Sequence, residues 1–592
     1  MVNFDLILVF IVILFILVSL YREILGPAFT FLIAVLVLGI FGVLTPSEIL
    51  KGFANEQVAV VLLLLVLGEI IRKTQVVEFI FDRFFKSARS YRGFLSRMVV
   101  LISGFSAFLN NTPLVAVMIP YVHTWCKKNN ISPSKFMMPL SYAAILGGCA
   151  TLIGTSTNMI VNGLVVDQTI SSDLHQLKIF DFAAVGIPMI IIGIFYMLFL
   201  GDKLLRSKPD VITQFSSETR EYLIEVKIPE KSHLIGKTVE ESGIKNQQGI
   251  ELVELWRRGF KINQYGPELL LDRGDILMFA GDPEVIADMI HNMPGITVPE
   301  VGMYSRKKHS EIVEVVVSQN SSIINRTVRE ANFRSKYDAA IISVHRNGEQ
   351  IRGKITDVEL KAGDVLLLFA GGDFVARTTN TREFYFISKV REIIKYDWYK
   401  TYTLLAGLLL AIILSAFQLV PLFISLLILV VISLAFRLVD PKELPRSIDF
   451  NLGIIIVLSL ALGTAMIKSG AADMVAQGII SVFMPLGKVG LLFGIFIITS
   501  ILAAYITSKA AAAIIFPISL STAVNLDLNP LPFVLIVAYA AAANFMTPIG
   551  FQTNLMVYGP GGYSFKDFFR VGAPLTIIYM VVTVFILSII YL

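Results

Sequence analysis

The sequence predicts a polytopic α-helical membrane protein made of two inverted repeats, each with about five spans and one re-entrant hairpin, and an inserted cytoplasmic α+β tandem domain. Three observations support this fold class. Of the 592 residues, 55% are hydrophobic and only 16% are charged, and the apolar residues form runs near the ~20 residues that cross a bilayer. The middle of the chain is instead charged and alternating. The two apolar halves also repeat each other.

The first apolar half contains six runs, at residues 4–21, 27–44, 55–72, 94–126, 136–165 and 181–201. From Arg206 to Lys400 they give way to short alternating stretches, such as EYLIEVKIP, EIVEVVVSQ and DVLLLFAG, which are typical of strands in a soluble domain. Apolar runs resume at Thr401 and continue to Leu592. The predicted divisions are a first membrane half at 1–205, two soluble copies at 206–300 and 301–395, and a second membrane half at 396–592.

Three segments of the first half match the second half in the same order. They are FLNNTPLVAVMIP with YITSKAAAAIIFP, IGTSTNMIV with IGFQTNLMV, and FDFAAVGIP with KDFFRVGAP. The long runs at 94–126 and 489–523 carry polar residues at their midpoints, which favours a re-entrant hairpin over one straight span. If that hairpin does not cross, five crossings remain in each half, and an odd number inverts the second half relative to the first.

The distribution of basic residues predicts the orientation. With the amino terminus outside, the loops that fall inside carry the lysines and arginines, whereas the outside loops at 168–177 and 525–530 carry none. We therefore expect a cell (inner) membrane protein with both termini outside and residues 206–395 in the cytoplasm. The basic residues counted as inside are Arg72, Lys73, Arg83, Lys86, Arg89, Arg92, Lys127, Lys128, Lys203, Arg206, Arg437 and Arg446.

Polar residues interrupt the apolar runs at four places that form two symmetric pairs. A turn inside the membrane leaves backbone groups unsatisfied, so it survives only beside a cavity. Paired breaks of this kind suit a midplane binding site, in which helix amino ends face an anion and freed carbonyls face a cation. Helix capping or packing between helices is the alternative. The hairpin tips are Asn110, Asn111 and Thr112 in one half and Thr507, Ser508 and Lys509 in the other; the helix breaks contain Gly154, Thr155 and Asn158, and Gly550, Thr553 and Asn554.

The motifs NNTP, TSKA and TPIG, the last followed by TN, resemble the paired hairpin tips and second helix break of the divalent anion:sodium symporter (DASS) family. This resemblance implies elevator-type transport of a dianion such as sulfate or a dicarboxylate, with sodium as the coupling ion, in a homodimer. By position, it implies two sodium sites, one at Asn110, Asn111 and the backbone near Ala150, the other at Thr507, Ser508 and the backbone near Met546. The residues that would bind the substrate are Asn111, Thr112, Ser508, Lys509, Thr547 and Pro548.

Lys509 departs from the family pattern, which has a neutral residue there. A buried charge in a membrane needs a partner or an aqueous cavity. Lys509 would either contact the dianion or take the role of the second sodium ion, and snorkelling to the headgroups is the structural alternative. A sodium-independent anion exchanger and a proton-coupled carrier therefore remain alternatives to the symporter.

Two further classes are less favoured. A cation antiporter needs a carboxylate in the breaks, and the nearest candidate, Glu69, is better explained by pairing with Arg72. A potassium channel needs a TVGYG filter, which the chain lacks. No nucleophile–base pair or metal-ligand pattern indicates an enzyme, Cys126 and Cys149 have no metal or redox spacing, and a net charge of +5 gives no reason to expect nucleic acid.

The insertion repeats itself as well. Each copy is predicted to contain a strand, a helix beginning at GKTVEES or NRTVREA, a hairpin, and a Gly-Asp turn, at Asp275 or Asp364, before an apolar strand. The copies resemble the TrkA-C (RCK-C) domains of potassium-channel regulators, which implies dimerisation or a small regulatory ligand. The Gly-x-Gly-x-x-Gly loop is missing, so NAD binding is not expected and no tightly bound cofactor is predicted. Because DASS proteins with such tandem domains are associated with sulfate, sulfate is favoured over dicarboxylates.

Overall fold

A computed structural model describes most of the chain, and every structural statement below concerns the residues that it describes. They are 4–22, 24–73, 84–85, 90–129, 131–172, 174–205, 207, 223–239, 241–242, 250–257, 260–262, 269–281, 295–296, 311–319, 321–337, 339–346, 349–351, 355–370, 374–378, 383–386, 398–436 and 450–592. The side chains of Glu69 and Arg72 lie outside this set, so the pairing expected between them is not described.

The first membrane half is helical, and its helices begin where the sequence supplies caps. Thr45 accepts a hydrogen bond from the Glu48 backbone N–H while the Glu48 carboxylate accepts one from Thr45, which starts a short helix with Pro46 in its first turn. The helices are α1 Phe4–Tyr21, α2 Pro27–Ile40, α3 Pro46–Lys51, α4 Glu56–Lys73, α5 Tyr91–Ser106, α6 Asn111–Asn129, α7 Met137–Gly148, α8 Ser156–Asp167, α9 Ala183–Phe195, continued as a π-helix Tyr196–Gly201, and α10 Asp202–Leu204; 3₁₀ turns lie at Gly52–Ala54 and Pro133–Lys135.

The region between the membrane halves contains two antiparallel sheets. The first sheet unit has the order β1-β4-β2-β3 and the second, spanning residues 311–386, has the order β7-β6-β8-β5-β9. The strands predicted from EYLIEVKIP, EIVEVVVSQ and DVLLLFAG are present as β1, β5 and β8. The elements are β1 Leu223–Lys227, β2 Ile250–Arg257, β3 Phe260–Ile262, β4 Ile276–Gly281, β5 Glu311–Val317, α11 Phe333–Tyr337, β6 Ala339–Arg346, β7 Glu349–Gln350, a 3₁₀ turn Ile355–Asp357, β8 Val365–Ala370, α12 Phe374–Thr378 and β9 Phe384–Phe386.

The second membrane half is helical again. Its helices are α13 Trp398–Ala416, α14 Leu422–Ala435, α15 Phe450–Lys468, α16 Ala471–Phe483, a 3₁₀ turn Met484–Leu486, α17 Gly487–Tyr505, α18 Ser508–Asn525, α19 Pro530–Ala542, α20 Gln552–Tyr558 and α21 Phe565–Tyr591.

Several of these helices can cross a membrane. Among the described residues, five helical stretches are long and apolar enough, and Pro46–Ala54 with Glu56–Gly68 would make a sixth across a 44° bend. The chain is therefore a multi-pass membrane protein, as predicted. The number of crossings per half, the inversion and the sidedness remain predictions. The five stretches are Phe4–Tyr21, Ala183–Gly201, Phe450–Lys468, Ala471–Tyr505 and Phe565–Tyr591.

The core of the membrane region is formed by the helices next to the predicted tips and breaks. Every residue of α7 is buried, and so is every residue of α19 except the partly buried Leu531. In α18, the small side chains from Ala510 to Ala513 are completely buried, which allows neighbouring helices to approach closely. The polar interruptions thus lie next to buried helices.

Each sheet unit contains the same buried ion pair, which the sequence analysis missed. Asp275 and Asp364 do sit in turns before a strand, as expected, after Gly274 and Gly363 with positive φ. Both carboxylates are also almost fully buried and accept two hydrogen bonds from an arginine 18 residues earlier. The pairs are Arg257 with Asp275 and Arg346 with Asp364.

The helix predicted at NRTVREA does not begin there, and the described residues of GKTVEES, 236–239 and 241–242, are not helical either. Thr238 exchanges hydrogen bonds with Glu241, and Thr327 does so with Glu330, as in a helix cap. Residues 325–332 nevertheless form turns, because Asn325 and Asn332 have positive φ and interrupt a helix, which starts only at Phe333 as α11.

Glu383 anchors β9 to the rest of the second sheet unit. Its carboxylate accepts hydrogen bonds from Ser321, from the backbone and hydroxyl of Ser322, and from Lys336. Burial raises the pKa of Glu383, but these hydrogen bonds outweigh burial, so its pKa lies below the ordinary value of 4.5. The ionised form is the one that holds the strand.

We expect the second sheet unit to lose stability in acid. A lowered folded pKa contributes stability above the unfolded pKa, and that contribution is lost as the pH falls through the folded pKa. Glu383→Gln should lower the free energy of unfolding at neutral pH by about 1–2 kcal/mol and flatten the acid dependence. The measurement is hydrogen exchange of the β5 and β8 amides in the full-length protein, corrected for intrinsic rates.

Glu330→Gln is the matched control. Hydrogen bonds from Thr327 also hold the pKa of Glu330 below the ordinary value, but among the described residues they stay within its own turn, so the β5 and β8 amides should exchange as in wild type. Identical acid profiles for wild type and Glu383→Gln would show that Glu383 does not carry the effect.

Candidate transport site

Residues 107–110 join α5 to α6 and lead into the first tip, Asn110, Asn111 and Thr112. Asn111 begins α6 and is 2% exposed. Its Oδ1 accepts a hydrogen bond from the hydroxyl of Ser106, which is also within hydrogen-bond distance of the Ala144 carbonyl. The tip is therefore fixed against α7 by side-chain hydrogen bonds, and the amino end of α6 lies at the tip.

The first break lies between α7 and α8 and is tied to this tip. Nδ2 of Asn158 donates to the carbonyls of Thr151 at 2.9 Å and Gly148 at 3.5 Å. The Thr151 hydroxyl donates to the carbonyl of Ala107 and accepts from the Gly154 N–H at 3.2 Å. These bonds satisfy backbone groups that the break would otherwise leave unpaired.

The second half repeats this arrangement bond for bond. Nδ2 of Asn554 donates to the carbonyls of Asn544 at 2.9 Å and Thr547 at 3.0 Å. The Thr547 hydroxyl donates to the Ala504 carbonyl at 3.2 Å and accepts from the Gly550 N–H at 3.1 Å. The matching segments IGTSTNMIV and IGFQTNLMV therefore share a local structure.

Glycines make room for these breaks. A Cβ on Gly154 would lie 2.6 Å from the Gly148 carbonyl oxygen, and one on Gly550 would lie 1.9 Å from Nδ2 of Asn544. Gly186 and Gly572, which belong to the third pair of matching segments, bring α9 and α21 against the backbone at Ala150 and Phe545. No other residue type fits these four positions without displacing backbone or a buried amide.

Several buried amide atoms at the two breaks have no hydrogen-bond partner among the described residues. They are Nδ2 of Asn111, Oδ1 of Asn158 and both side-chain polar atoms of Asn544. A buried polar group without a partner costs about 1–3 kcal/mol. Such atoms beside a broken helix point to ligand or water binding.

Asn544 was missed by the sequence analysis, because it lies in the apolar stretch AAANF. Only one signal could have indicated Asn544, which is that it occupies the position in the second half that corresponds to Gly148 in the first. The Gly148 carbonyl accepts from Asn158 as the Asn544 carbonyl accepts from Asn554.

The residues implied as sodium ligands lie at the tips and breaks, in different environments. Asn110 is half-buried and its Oδ1 accepts from the Thr112 N–H at 3.4 Å. Ala150 is buried and Met546 half-buried beside the breaks. Thr507 caps α18 by accepting from the Ala510 N–H at 3.2 Å. The sodium assignments stay predictions.

The residues implied as anion ligands also differ from one another in burial and hydrogen bonding. The Ser508 hydroxyl donates to the Gly550 carbonyl at 3.3 Å, and the Thr547 hydroxyl is engaged within the break as described above. Pro548 is buried, whereas Thr112 and Lys509 are only partly buried. The anion assignments likewise stay predictions.

The remaining break residues are enclosed. Thr155 precedes α8 and is 6% exposed. Thr553 and Asn554 are completely buried, and the hydroxyl of Ser141 on α7 lies within hydrogen-bond distance of both, at 2.8 and 2.7 Å. Ser141 thus connects the first half to the second break.

A small open cleft adjoins the first tip and break. Asn110, Gly154 and Ser156 line it together with apolar residues of α4 and Leu408 of α13. Among the described residues, no group of three His, Cys, Asp or Glu side chains could hold a metal ion. The site instead offers hydroxyls, amides, carbonyls and one ammonium group.

Apolar spans around paired, hydrogen-bonded helix breaks define a multi-pass membrane transporter rather than an enzyme. The chain matches the citrate transporter family (CitMHS) over residues 7–423 and 408–592, and it belongs to that family. This supports the DASS-type permease that the tip motifs resemble.

Several relatives match nearly the whole chain. It is 32% identical to an uncharacterised transporter of Synechocystis sp., over 98% of this chain and 96% of that protein. It is 24% identical to sodium/sulfate cotransporter 2 of Chlamydomonas reinhardtii, over 95% of this chain and 87% of that protein.

Proposed function

We propose that this protein is a sodium-coupled secondary carrier of a small divalent anion, with sulfate favoured and dicarboxylates next. The observation that carries the proposal is the set of buried, unpartnered amide atoms of Asn111, Asn158 and Asn544 at two matching helix breaks. Amide and carbonyl oxygens at the breaks suit sodium, and helix amino ends with N–H and O–H donors suit an anion. The sodium/sulfate cotransporters among the relatives support the same pair of substrates.

The transport cycle is of the elevator type in a homodimer, with both termini outside and residues 206–395 in the cytoplasm. The two breaks, their tips, and α9 and α21 move as one body, because hydrogen bonds and close glycine contacts hold them together. The tandem sheet units, which resemble TrkA-C domains, regulate this motion, with or without a small ligand.

The test is uptake of labelled sulfate, succinate and citrate into proteoliposomes, each with and without an inward sodium gradient. We expect the sodium gradient to drive accumulation of sulfate. Uptake of succinate or citrate alone would move the substrate class to carboxylates, and absence of uptake for all three anions would contradict the proposal.

A second candidate is anion exchange without sodium. It is favoured by Lys509, which occupies the position of the second tip that matches Thr112 of the first and places an ammonium group where the family has a neutral residue. Exchange would give uptake that depends on internal anion and is indifferent to sodium. Lys509→Asn would then create a sodium dependence, whereas an unaltered sodium curve would remove Lys509 from the coupling mechanism.

A further inference from the structure

Tyr385, on β9 of the second sheet unit, contacts the membrane region at the second break. Its hydroxyl accepts hydrogen bonds from Nε2 of Gln552 at 2.9 Å and from the Ser318 hydroxyl at 3.2 Å. Oε1 of the same Gln552 amide accepts from the Thr112 hydroxyl at 3.0 Å. One side-chain amide therefore connects the first tip, the second break and the second sheet unit.

A second contact lies on the same helix, α20. The turn at Gly363 packs against Leu555, where an added Cβ would lie 3.0 Å from the leucine Cδ1. One turn further, a Cβ on Gly559 would lie 2.5 Å from Cγ2 of Val365. The sheet unit thus touches α20 closely, and a shift of either one must move the other.

The strand that carries Tyr385 is itself well held. Glu383, two residues earlier, is bound to Ser321, Ser322 and Lys336. Val315 to Val317 of β5 pair with β9 along its length. Tyr385 is therefore presented from a fixed support.

We propose that Gln552 is an anion-binding residue of the transport site and that Tyr385 restrains it, so that the second sheet unit keeps the site in a low-affinity state. The inference rests on the proposed function. In the arrangement described, the Thr112 hydroxyl donates to Gln552 and the Gln552 amide donates to Tyr385. The Thr112 hydroxyl and the Gln552 amide N–H are both donors that a dianion would use. Release of Tyr385 frees the amide to turn and leaves both donors to the anion.

The first test is Tyr385→Phe, which keeps the ring and removes the hydroxyl. We expect the half-saturating concentration for the transported anion to fall roughly two- to tenfold, the range that one hydrogen bond of ordinary strength allows. Tyr337→Phe is the matched control, because it removes a buried hydroxyl from the same sheet unit whose described neighbours are Lys336 and Ser322 and not Gln552. An unchanged half-saturating concentration in Tyr385→Phe would overturn the proposal.

The second test asks whether Tyr385 acts through Gln552. Gln552→Ala should raise the half-saturating concentration, because the anion loses a donor, and adding Tyr385→Phe should then change nothing further. If Tyr385→Phe has the same effect in both backgrounds, Tyr385 does not act through Gln552 and the proposal is wrong.

A readout without transport separates this inference from the proposed function. Hydrogen exchange of α20 amides in the full-length protein should become faster in Tyr385→Phe than in wild type and Tyr337→Phe. If wild type carries none of the three labelled anions, the proposed function fails, and faster exchange would still support the restraint by Tyr385. Equal exchange in all three proteins would overturn the restraint itself.

Discussion

Replacement of Asn554 by alanine is expected to lower anion uptake by about tenfold or more. A distortion of the site that weakens anion binding by about 1.4 kcal/mol already gives a factor of ten. The substitution removes the amide that binds the carbonyls of Asn544 and Thr547. Each buried carbonyl left without a partner costs about 1–3 kcal/mol. The break must then relax, and the position of the neighbouring Asn544 amide changes with it.

Asn158→Ala should have the same effect, because Asn158 binds the carbonyls of Gly148 and Thr151 in the first half. The measurement is the initial rate of uptake of labelled anion into proteoliposomes, normalised to protein that elutes as a single species. Asn129→Ala is the matched control, since the exposed Asn129 amide binds only the Trp125 carbonyl of its own helix among the described residues. Wild-type rates in both Asn554→Ala and Asn158→Ala would contradict the role assigned to the breaks.

The positions of the tips and helix breaks could be predicted from the sequence because their signal is local. Polar residues such as Asn111 and Asn158 stand out within apolar runs, and the burial cost of a broken helix explains why they must have partners. The repeat then supports the prediction at each position, because a chance interruption would not recur at matching places in the two halves. The bond-for-bond agreement between Asn158 and Asn554 is the structural counterpart of that repeat.

Other parts of the site depend on partners that are distant in sequence. Gln552 stands within a quoted motif, yet its contacts are Thr112 and Tyr385, which lie 440 and 167 residues away. No periodicity or composition indicates such a pairing. Asp364 was predicted correctly as a turn residue, but its arginine partner comes from another strand, and only the sheet register brings the two together.

The buried ion pairs lead to the second large effect, which concerns stability. Arg346→Ala leaves the Asp364 carboxylate 1% exposed without its bidentate partner. Removing one member of a buried pair costs about 3–5 kcal/mol, because the remaining charge is desolvated and uncompensated. A domain of ordinary stability has only about 5–15 kcal/mol in total. We therefore expect the second sheet unit to be unfolded in a large fraction of molecules, measured by denaturant-dependent hydrogen exchange of the β8 amides.

Two comparisons decide whether this loss comes from burial or from charge alone. Arg329→Ala removes an ion pair with Asp357 that is exposed on both sides, so it should change the free energy of unfolding by at most about 1 kcal/mol. The double variant Arg346→Met with Asp364→Leu should recover most of the stability, because it replaces the buried charges by apolar groups. If Arg346→Ala were no more destabilising than Arg329→Ala, burial of Asp364 would not matter.

Unfolding of the second sheet unit in Arg346→Ala should also detach Tyr385 from Gln552. The half-saturating anion concentration of Arg346→Ala should therefore fall as in Tyr385→Phe, while the double variant should retain the wild-type value.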